Sequence, residues 1–228
     1  MGRGVGNRED SMEGDFRQSD QADMDEAGSM SPDMEKEPGF ARELLGYIKI
    51  LVAAFVLCWI LTRVVFVNAY IPSSSMENTI MTGSRVLGIR LAYRFSDPSR
   101  GDIVIFHYPV DEDTLYIKRV IGLPGETVTI SDGLIYIDGI QLNEDYLPEE
   151  WYADNDGYTF TVPEGCYFMM GDNRNVSIDS RFWADEALAE GVASTPEEAE
   201  SYTYVKKEKI VAKAFVVYWP VSEVSIIW

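Results

Sequence analysis

Histidine is almost absent from this chain of 228 residues, which contains only His107. Zinc sites in proteins usually use several His or Cys ligands, so no metal site is expected. A Ser-His-Asp triad would have to use His107, which lies in the apolar run 103–108. Such a run is typical of a buried strand, and we therefore expect a structural or strand-end histidine rather than a catalytic base.

Cysteine and basic residues are also scarce. Cys58 falls within an apolar stretch and Cys166 lies far downstream. If the stretch crosses a bilayer the two thiols cannot meet, so no disulfide is expected. The 19 Lys and Arg residues are outnumbered by 38 Asp and Glu, which gives a net charge of −19. Because nucleic-acid binding depends on basic patches, a nucleic-acid partner is not expected.

The N-terminal segment lacks any apolar period. Its first 40 residues hold eleven acids and four bases, with Gly, Ser, Met and Pro scattered among them. Such a segment cannot bury enough apolar surface to offset the entropy lost on ordering. The sequence therefore predicts a disordered acidic tail over residues 1–43.

The longest apolar region of the chain covers residues 44–67. Its uncharged part has only 13 residues, 50–62, whereas a bilayer core needs about 20 helical residues. Lys49 and Arg63 flank this part, and their long side chains can reach the two interfaces. We therefore favour a transmembrane anchor over the alternative, a core helix of a soluble protein.

Positive charge predicts the orientation of this anchor. Arg42 and Lys49 lie on its N-terminal side and favour keeping that side in the cytoplasm, although Arg63 reduces the bias. The tail is therefore expected to be cytoplasmic and residues 68–228 extracytoplasmic, in a single-pass protein of the cell membrane.

Beyond residue 68 the pattern is that of short strands separated by turn residues. Ser131-Asp132-Gly133 is a good hairpin turn between two such runs. Many short strands with little helix predict a mainly β domain with antiparallel pairing. The runs interpreted as strands are 86–89, 102–108, 115–121, 127–130, 134–137, 158–162, 166–170 and 212–219.

One segment, 184–204, departs from the β pattern. It is rich in Ala and Glu, and Thr195-Pro196-Glu197-Glu198 has the form of a helix start, with a capping hydroxyl, proline in the first position and acids in the first turn. We expect a small helical insertion at the surface.

Candidate chemistry begins with the serine cluster 73–75. A serine hydroxyl needs a base to take its proton, and a neutral, buried lysine is the obvious substitute for histidine. Lys118 lies in the apolar run 115–121, beside Arg119. Because side chains alternate along a strand, one of these two cations is expected to face the interior. No S-x-x-K occurs, which argues against the penicillin-binding type of Ser-Lys enzyme.

A polar stretch at 170–183 follows. On its own it is either a loop with local Asp–Arg pairs or a shell of residues that orients a lysine base.

Taken together, these stretches resemble the type I signal peptidases (the bacterial leader peptidase family) over roughly residues 44–220. P-S-S-S-M at 72–76 resembles the nucleophile box and R-G-D-I-V-I-F at 100–106 the strand after it. Y-I-K-R-V-I-G-L-P-G-E at 116–126 resembles the lysine box, and G-D-N-R-N-V-S-I-D-S-R at 171–181 the last box.

The resemblance implies a role for each matching residue. Ser75 would be the nucleophile and Lys118 the general base, with the Ser73 hydroxyl and the Ser75 N–H forming the oxyanion hole. Ser177 would hydrogen-bond Lys118 and orient it. The supporting residues would be Asp172, Asp179 and Arg181. The small-residue substrate pockets would be lined by Ile71, Met76, Ile80, Tyr116 and Ile117.

The implied function is a membrane-anchored serine endopeptidase that removes signal peptides from secretory preproteins without a cofactor. Two alternatives stay open: a membrane-anchored β domain that binds peptides without cutting them, and a specialised peptidase with few substrates. The chain departs from the family pattern at Asn78, where many members have proline, and at Asn175-Val176, where Asp-Asn is usual. The 184–204 insertion has no counterpart that can be assigned.

Overall fold

The structure is a computed structural model that describes residues 39–147, 151 and 157–227. The chain divides into two units, residues 1–50 and 51–228. The described part of the first unit is the beginning of helix α1 (Phe40–Ile60), which is followed by a π-helical turn over Leu61–Val65. Most of the predicted acidic tail lies outside the described residues.

Helix α1 and its π-helical turn together form a candidate membrane span. The 26 residues from Phe40 to Val65 are long enough to cross a bilayer and contain an apolar window with a mean hydropathy of 2.4, none of which is buried in the protein. The helix begins four residues before the predicted start at residue 44, so residues 40–43 are helical rather than part of the tail. It also ends earlier, because Phe66 and Val67 pair with another strand.

Twelve strands lie within the described residues, and all their pairings are antiparallel, so the predicted mainly β fold is confirmed. The larger sheet contains β1 (Phe66–Tyr70), β2 (Arg85–Ile89), β3 (Ile103–His107), β4 (Leu115–Gly122), β9 (Cys166–Met170), β10 (Val205–Lys206), β11 (Ile210–Trp219) and β12 (Ser225–Ile226). The smaller sheet contains β5 (Thr127–Ser131), β6 (Leu134–Ile137), β7 (Ile140–Gln141) and β8 (Thr159–Thr161).

The order of the larger sheet is β1-β2-β11-β3-β4-β9-β10, with β12 paired to β11. The order of the smaller sheet is β7-β6-β5-β8. The two sheets meet at Gly122, where an added Cβ would lie 2.6 Å from Val128 Cγ2 and 2.9 Å from Phe168 Cβ. Only glycine therefore allows β4 to approach the smaller sheet this closely.

The predicted turn between β5 and β6 is confirmed. Ser131 pairs with Leu134, and the two residues between them, Asp132 and Gly133, have φ values of 52° and 70°. These left-handed values are those of a type I′ hairpin turn, which Asp-Gly favours. His107 is the last residue of β3, and its Nδ1 lies 2.6 Å from the carbonyl oxygen of Glu112.

The predicted insertion contains α2 (Trp183–Ala189), α3 (Pro196–Ala199) and a 3₁₀ turn at Glu200–Thr203. The predicted helix start is confirmed, since Thr195 Oγ1 accepts a hydrogen bond of 3.2 Å from the backbone N–H of Glu198. The insertion is not simply a solvated surface element, however. One of its faces packs against β3, β4 and β9 through the buried residues Trp183, Ala187, Ala193 and Ala199.

Candidate active site

The loop between β1 and β2 carries Ser75. The two ends of this loop are joined by hydrogen bonds from Ile71 N to Ser84 O (3.0 Å) and from Gly83 N to Ile71 O (2.8 Å). Ile71, Met76 and Ile80 are buried in the core beneath it. These anchors on both sides of Ser75 hold its backbone in place.

Ser75 meets Lys118, which projects from β4. Lys118 Nζ lies 2.6 Å from Ser75 Oγ, and Ser73 Oγ lies 3.3 Å from the same oxygen. The Ser75 and Lys118 residues are only 8% and 4% exposed, so their contact is shielded from water. The structure thus brings Lys118 to the two serines, 43 residues from Ser75 in the sequence, and these are three residues that the resemblance assigned to the reaction.

Burial changes the protonation of Lys118. Loss of solvation disfavours the charged amine and lowers the pKa of Lys118 to about 8. The negative charges of Asp179 and Asp172 oppose this shift, while the positive charge of Arg181 adds to it. A substantial fraction of Lys118 is therefore neutral near pH 8 and can accept a proton from Ser75.

Arg119 is buried as well, at 5% exposure, so the interior holds the second cation in addition to the one that was expected there. Its Nε and Nη2 donate to the two carboxylate oxygens of Asp172 at 2.8 and 2.6 Å. Its guanidinium carbon also lies 3.9 Å from the centre of the Tyr146 ring. A bidentate carboxylate partner allows Arg119 to stay charged inside the protein.

The last motif of the resemblance, residues 171–181, connects the loop that carries Ser75 to β4, which carries Lys118. Asp172, besides pairing with Arg119 of β4, accepts a hydrogen bond from Thr79 of the loop that carries Ser75. The backbone N–H of Asn173 donates to Ser75 O at 3.1 Å, and its side-chain amide donates to Ser74 O at 3.1 Å. Residues 171–181 therefore fix Ser75 relative to β4.

Asp179 and Arg181 form the supporting pair that the resemblance implies. Arg181 Nε and Nη2 donate to the two Asp179 oxygens at 2.8 and 2.9 Å, and Gly171 N donates to Asp179 Oδ2 at 3.0 Å. Although burial works in the opposite direction, the charge and hydrogen bonds of Arg181 hold the pKa of Asp179 below its ordinary value. Asp179 is therefore ionised, and its charge is compensated by Arg181 rather than by Lys118.

Ser177 does not make its expected contact. The residue is 3% exposed, but its Oγ has no hydrogen-bond partner among the described residues, so the hydrogen bond to Lys118 is not formed. It packs instead against Gly171, where an added Cβ would lie 2.3 Å from Ser177 Oγ and 2.4 Å from Ser75 O. The role of Ser177 in orienting the base stays a prediction.

An apolar cleft of about 500 Å³ opens beside Ser75 and Lys118. Of the residues expected to bind substrate, Ile71, Tyr116 and Ile117 line it. Met76 and Ile80 do not, because both are fully buried in the core below. The lining residues that the sequence reasoning missed include Asn68, Ala69, Tyr70, Ile105, Val176 and Ile178.

The cleft lies between two strands whose facing edges are open. Within the described residues β1 pairs only with β2, and β4 pairs with β9 only from Arg119 onwards. The segment 115–118 of β4 thus keeps its backbone groups on that side available. Since β1 and β4 are not neighbours in the sheet, yet line one cleft with Ile105 of β3, the sheet curves around the cleft.

Comparison with known proteins places the chain in a family. The family described as "Signal peptidase, peptidase S26" matches residues 44–219. The chain is 35% identical over 188 residues to "Probable signal peptidase I-2" of Synechocystis sp., which covers 78% of this chain and 75% of the relative. It is 41% identical over 145 residues to "Probable signal peptidase I-1" of the same organism, covering 60% of this chain and 72% of the relative.

A third relative, "Signal peptidase I" of Bacillus licheniformis, is 36% identical over 155 residues, covering 64% of this chain and 83% of the relative. The family match includes α1 from residue 44 onwards, strands β1 to β11 and every residue of the site described above. The chain belongs to the signal peptidase family, peptidase S26. It is therefore a peptidase.

The buried Asp172–Arg119 pair generates a prediction about stability. Asp172→Asn keeps the side-chain shape but leaves the Arg119 charge without its partner, so we expect the free energy of unfolding to fall by about 3–5 kcal/mol. Denaturant unfolding of the detergent-solubilised chain, followed by tryptophan fluorescence, measures this change. The matched control is Asp97→Asn, which removes the exposed pair with Lys207 and should cost less than about 1 kcal/mol. Equal losses would contradict the role given to Asp172.

Proposed function

We propose that this peptidase removes signal peptides from secretory preproteins at a membrane surface, with Ser75 as nucleophile and Lys118 as general base. The observation that carries the proposal is the 2.6 Å contact between Lys118 Nζ and Ser75 Oγ at the floor of an apolar cleft. The lowered pKa of Lys118 supports it, because a lysine that stays protonated cannot act as a base.

The first half of the reaction is acyl transfer to the serine. Neutral Lys118 takes the Ser75 hydroxyl proton while Ser75 Oγ attacks the carbonyl carbon of the scissile peptide bond. Negative charge develops on the carbonyl oxygen and is stabilised by the Ser73 hydroxyl and by the Ser75 N–H, which donates no hydrogen bond within the described residues. Preorganised donors of this kind are worth about 3–4 kcal/mol each in the transition state.

The second half returns the proton and releases the products. The Lys118 ammonium donates its proton to the leaving amine as the peptide bond breaks, and neutral Lys118 then activates the water that hydrolyses the acyl-enzyme. Between the two proton transfers Lys118 is an ammonium ion. The negative charges of Asp179 and Asp172 stabilise this ion, as does the Tyr116 ring, whose centre lies 5.6 Å from Nζ.

The cleft fits an extended peptide with small apolar side chains. Such a peptide can add to the open edge of β1 or of residues 115–118 through backbone hydrogen bonds, as in other strand-addition complexes. Ile71, Tyr116 and Ile117 then limit the size of the side chains that enter the cleft. We place the N terminus in the cytoplasm and the β domain outside it, where the anchor confines enzyme and preprotein to one bilayer and raises their effective concentration.

Substitution of either proposed reacting residue should abolish cleavage. Ser75→Ala removes the attacking oxygen and Lys118→Ala removes the base, so we expect each to reduce kcat by at least about 10³-fold. The measurement is the product mass and rate for one secretory preprotein with the detergent-solubilised chain. Ser96→Ala and Lys207→Ala, which remove the same residue types from the surface away from the cleft, serve as matched controls and should retain full activity.

Three results would redirect the proposal. Cleavage that persists in Lys118→Ala but is lost in Ser75→Ala would keep the nucleophile and reject the lysine base. Cleavage that persists in both variants would reject the pair. Binding of preproteins without cleavage by the unmodified chain would favour the alternative of a non-catalytic peptide-binding domain.

The pH dependence of the reaction follows from the lowered pKa of Lys118. Below about pH 8 the amine is mostly protonated, so kcat/KM should fall about tenfold per pH unit as pH decreases, and above that value it should level off. His107→Ala should leave this profile unchanged. A bend near pH 6.5, the ordinary pKa of histidine, that disappears in His107→Ala would identify His107 as the base instead.

A further inference from the structure

The wall of the cleft beside Lys118 is formed by the aromatic ring of Tyr116, which packs against other aromatic rings. Tyr116 lines the cleft two residues before Lys118 on the same face of β4, with its ring centre 5.6 Å from Lys118 Nζ. Tyr116 is only partly buried. The position of its ring therefore depends on what packs against its other side.

Tyr108 packs against that side. Its ring is stacked on the ring of Tyr116, with centroids 4.2 Å apart and planes inclined by 3°. The β3–β4 pairing explains the contact: Phe106 lies directly opposite Tyr116, and Tyr108 is the diagonal neighbour on the same face. Tyr108 is 5% exposed, so its hydroxyl needs a partner inside the protein.

Helix α2 of the insertion supplies that partner. Glu186 accepts the hydrogen bond of the Tyr108 hydroxyl. Three residues earlier, on the same face of the helix, the fully buried ring of Trp183 meets Tyr108 edge-on at 5.7 Å and Tyr116 at 6.4 Å. The insertion thus holds Tyr108 both by a hydrogen bond and by packing.

We propose that the insertion sets the size limit of the cleft through the series Glu186–Tyr108–Tyr116. Glu186 and Tyr108 are positioning residues: neither lines the cleft, and both act on substrate only by fixing the ring of Tyr116. The ligand whose recognition they control is the small apolar residue of the substrate that packs against Tyr116. A ring held in place excludes a larger side chain by steric overlap, whereas a ring free to tilt accepts it.

The inference rests on the proposed function, and its test is discrimination between substrates rather than activity alone. The peptides are identical except for Ala, Val or Leu at each of the three residues before the scissile bond. Tyr108→Leu removes the stacked ring and should reduce the ratio of kcat/KM for Ala over Leu by about tenfold at the position that faces Tyr116, which is the lower end of the discrimination that one methylene gives in an apolar pocket. Tyr108→Phe and Glu186→Ala, which remove only the hydrogen bond, should shift the ratio less and in the same direction.

Two controls separate this effect from general loosening of the core. Tyr93→Phe removes another tyrosine hydroxyl bonded to a carboxylate, that of Asp102, in the same core cluster but away from the cleft. Glu197→Ala removes an acid of the insertion that faces solvent. Both should keep the wild-type ratio. Glu186→Gln should keep it as well, because its side chain can still accept the Tyr108 hydrogen bond that Glu186→Ala loses.

An unchanged ratio in a folded Tyr108→Leu variant overturns the proposal, as does an equal change in Tyr93→Phe. If Tyr108→Leu does not fold, the ratios of Tyr108→Phe and Glu186→Ala are used instead, and unchanged ratios in both overturn the proposal. The same ratio is also measured as relative Kd of the Ala and Leu peptides, by fluorescence anisotropy in the Ser75→Ala background. The Kd measurement tests the series Glu186–Tyr108–Tyr116 even if the unmodified chain does not cleave the peptides. Absence of cleavage would count against the proposed function alone.

Discussion

The site depends on a buried lysine that has no carboxylate in contact among the residues the structure describes. Two acids lie near Lys118, but Asp172 is held by Arg119 and Asp179 by Arg181. Because each acid already has a bidentate arginine partner, neither forms an ion pair with Lys118, whose nearest polar neighbour is Ser75 Oγ. Loss of solvation then favours the neutral amine. The same burial destabilises the fold by an amount that grows as pH falls from the ordinary lysine pKa of about 10.4 to the lowered value of about 8. In that range folding releases a proton, and below it folding buries a charge, so the loss is then constant.

The two arginine–aspartate pairs also connect the segments of chain that form the site. Asp172 connects β4 to the loop that carries Ser75 through Arg119 and Thr79, and Asp179 fixes the turn at Gly171 that passes beside Ser75. One polar loop therefore holds the segments that carry Ser75 and Lys118 together. The aromatic series from the insertion reaches the same cleft through Tyr116, so the charges around Lys118 and the aromatic lining of the cleft arise from different parts of the fold.

The antiparallel β fold followed from alternation within single strands, and the contact between Ser75 and Lys118 followed from motifs that resemble those of a family. Sequence reasoning failed where position depends on the partners of a segment. Phe66 and Val67 are apolar enough for the anchor, but their pairing with β2 places them in a strand. Met76 and Ile80 follow Ser75 closely, and the loop places both in the core rather than in the lining of the cleft, so their part in substrate binding stays a prediction. The burial of Arg119 depends on its pairing with Asp172, 53 residues away. The Ser177 hydroxyl, which has no partner among the described residues, packs against Gly171.

The ionisation of Lys118 is the most direct test of this account. The chain labelled with ¹³C at lysine Cε is titrated by NMR in detergent micelles, and the Lys118 signal is assigned by its loss in Lys118→Met. The account predicts a midpoint near pH 8. A midpoint near the ordinary lysine value of about 10.4 would contradict it, because Lys118 would then be protonated throughout the physiological range and could not accept the Ser75 proton.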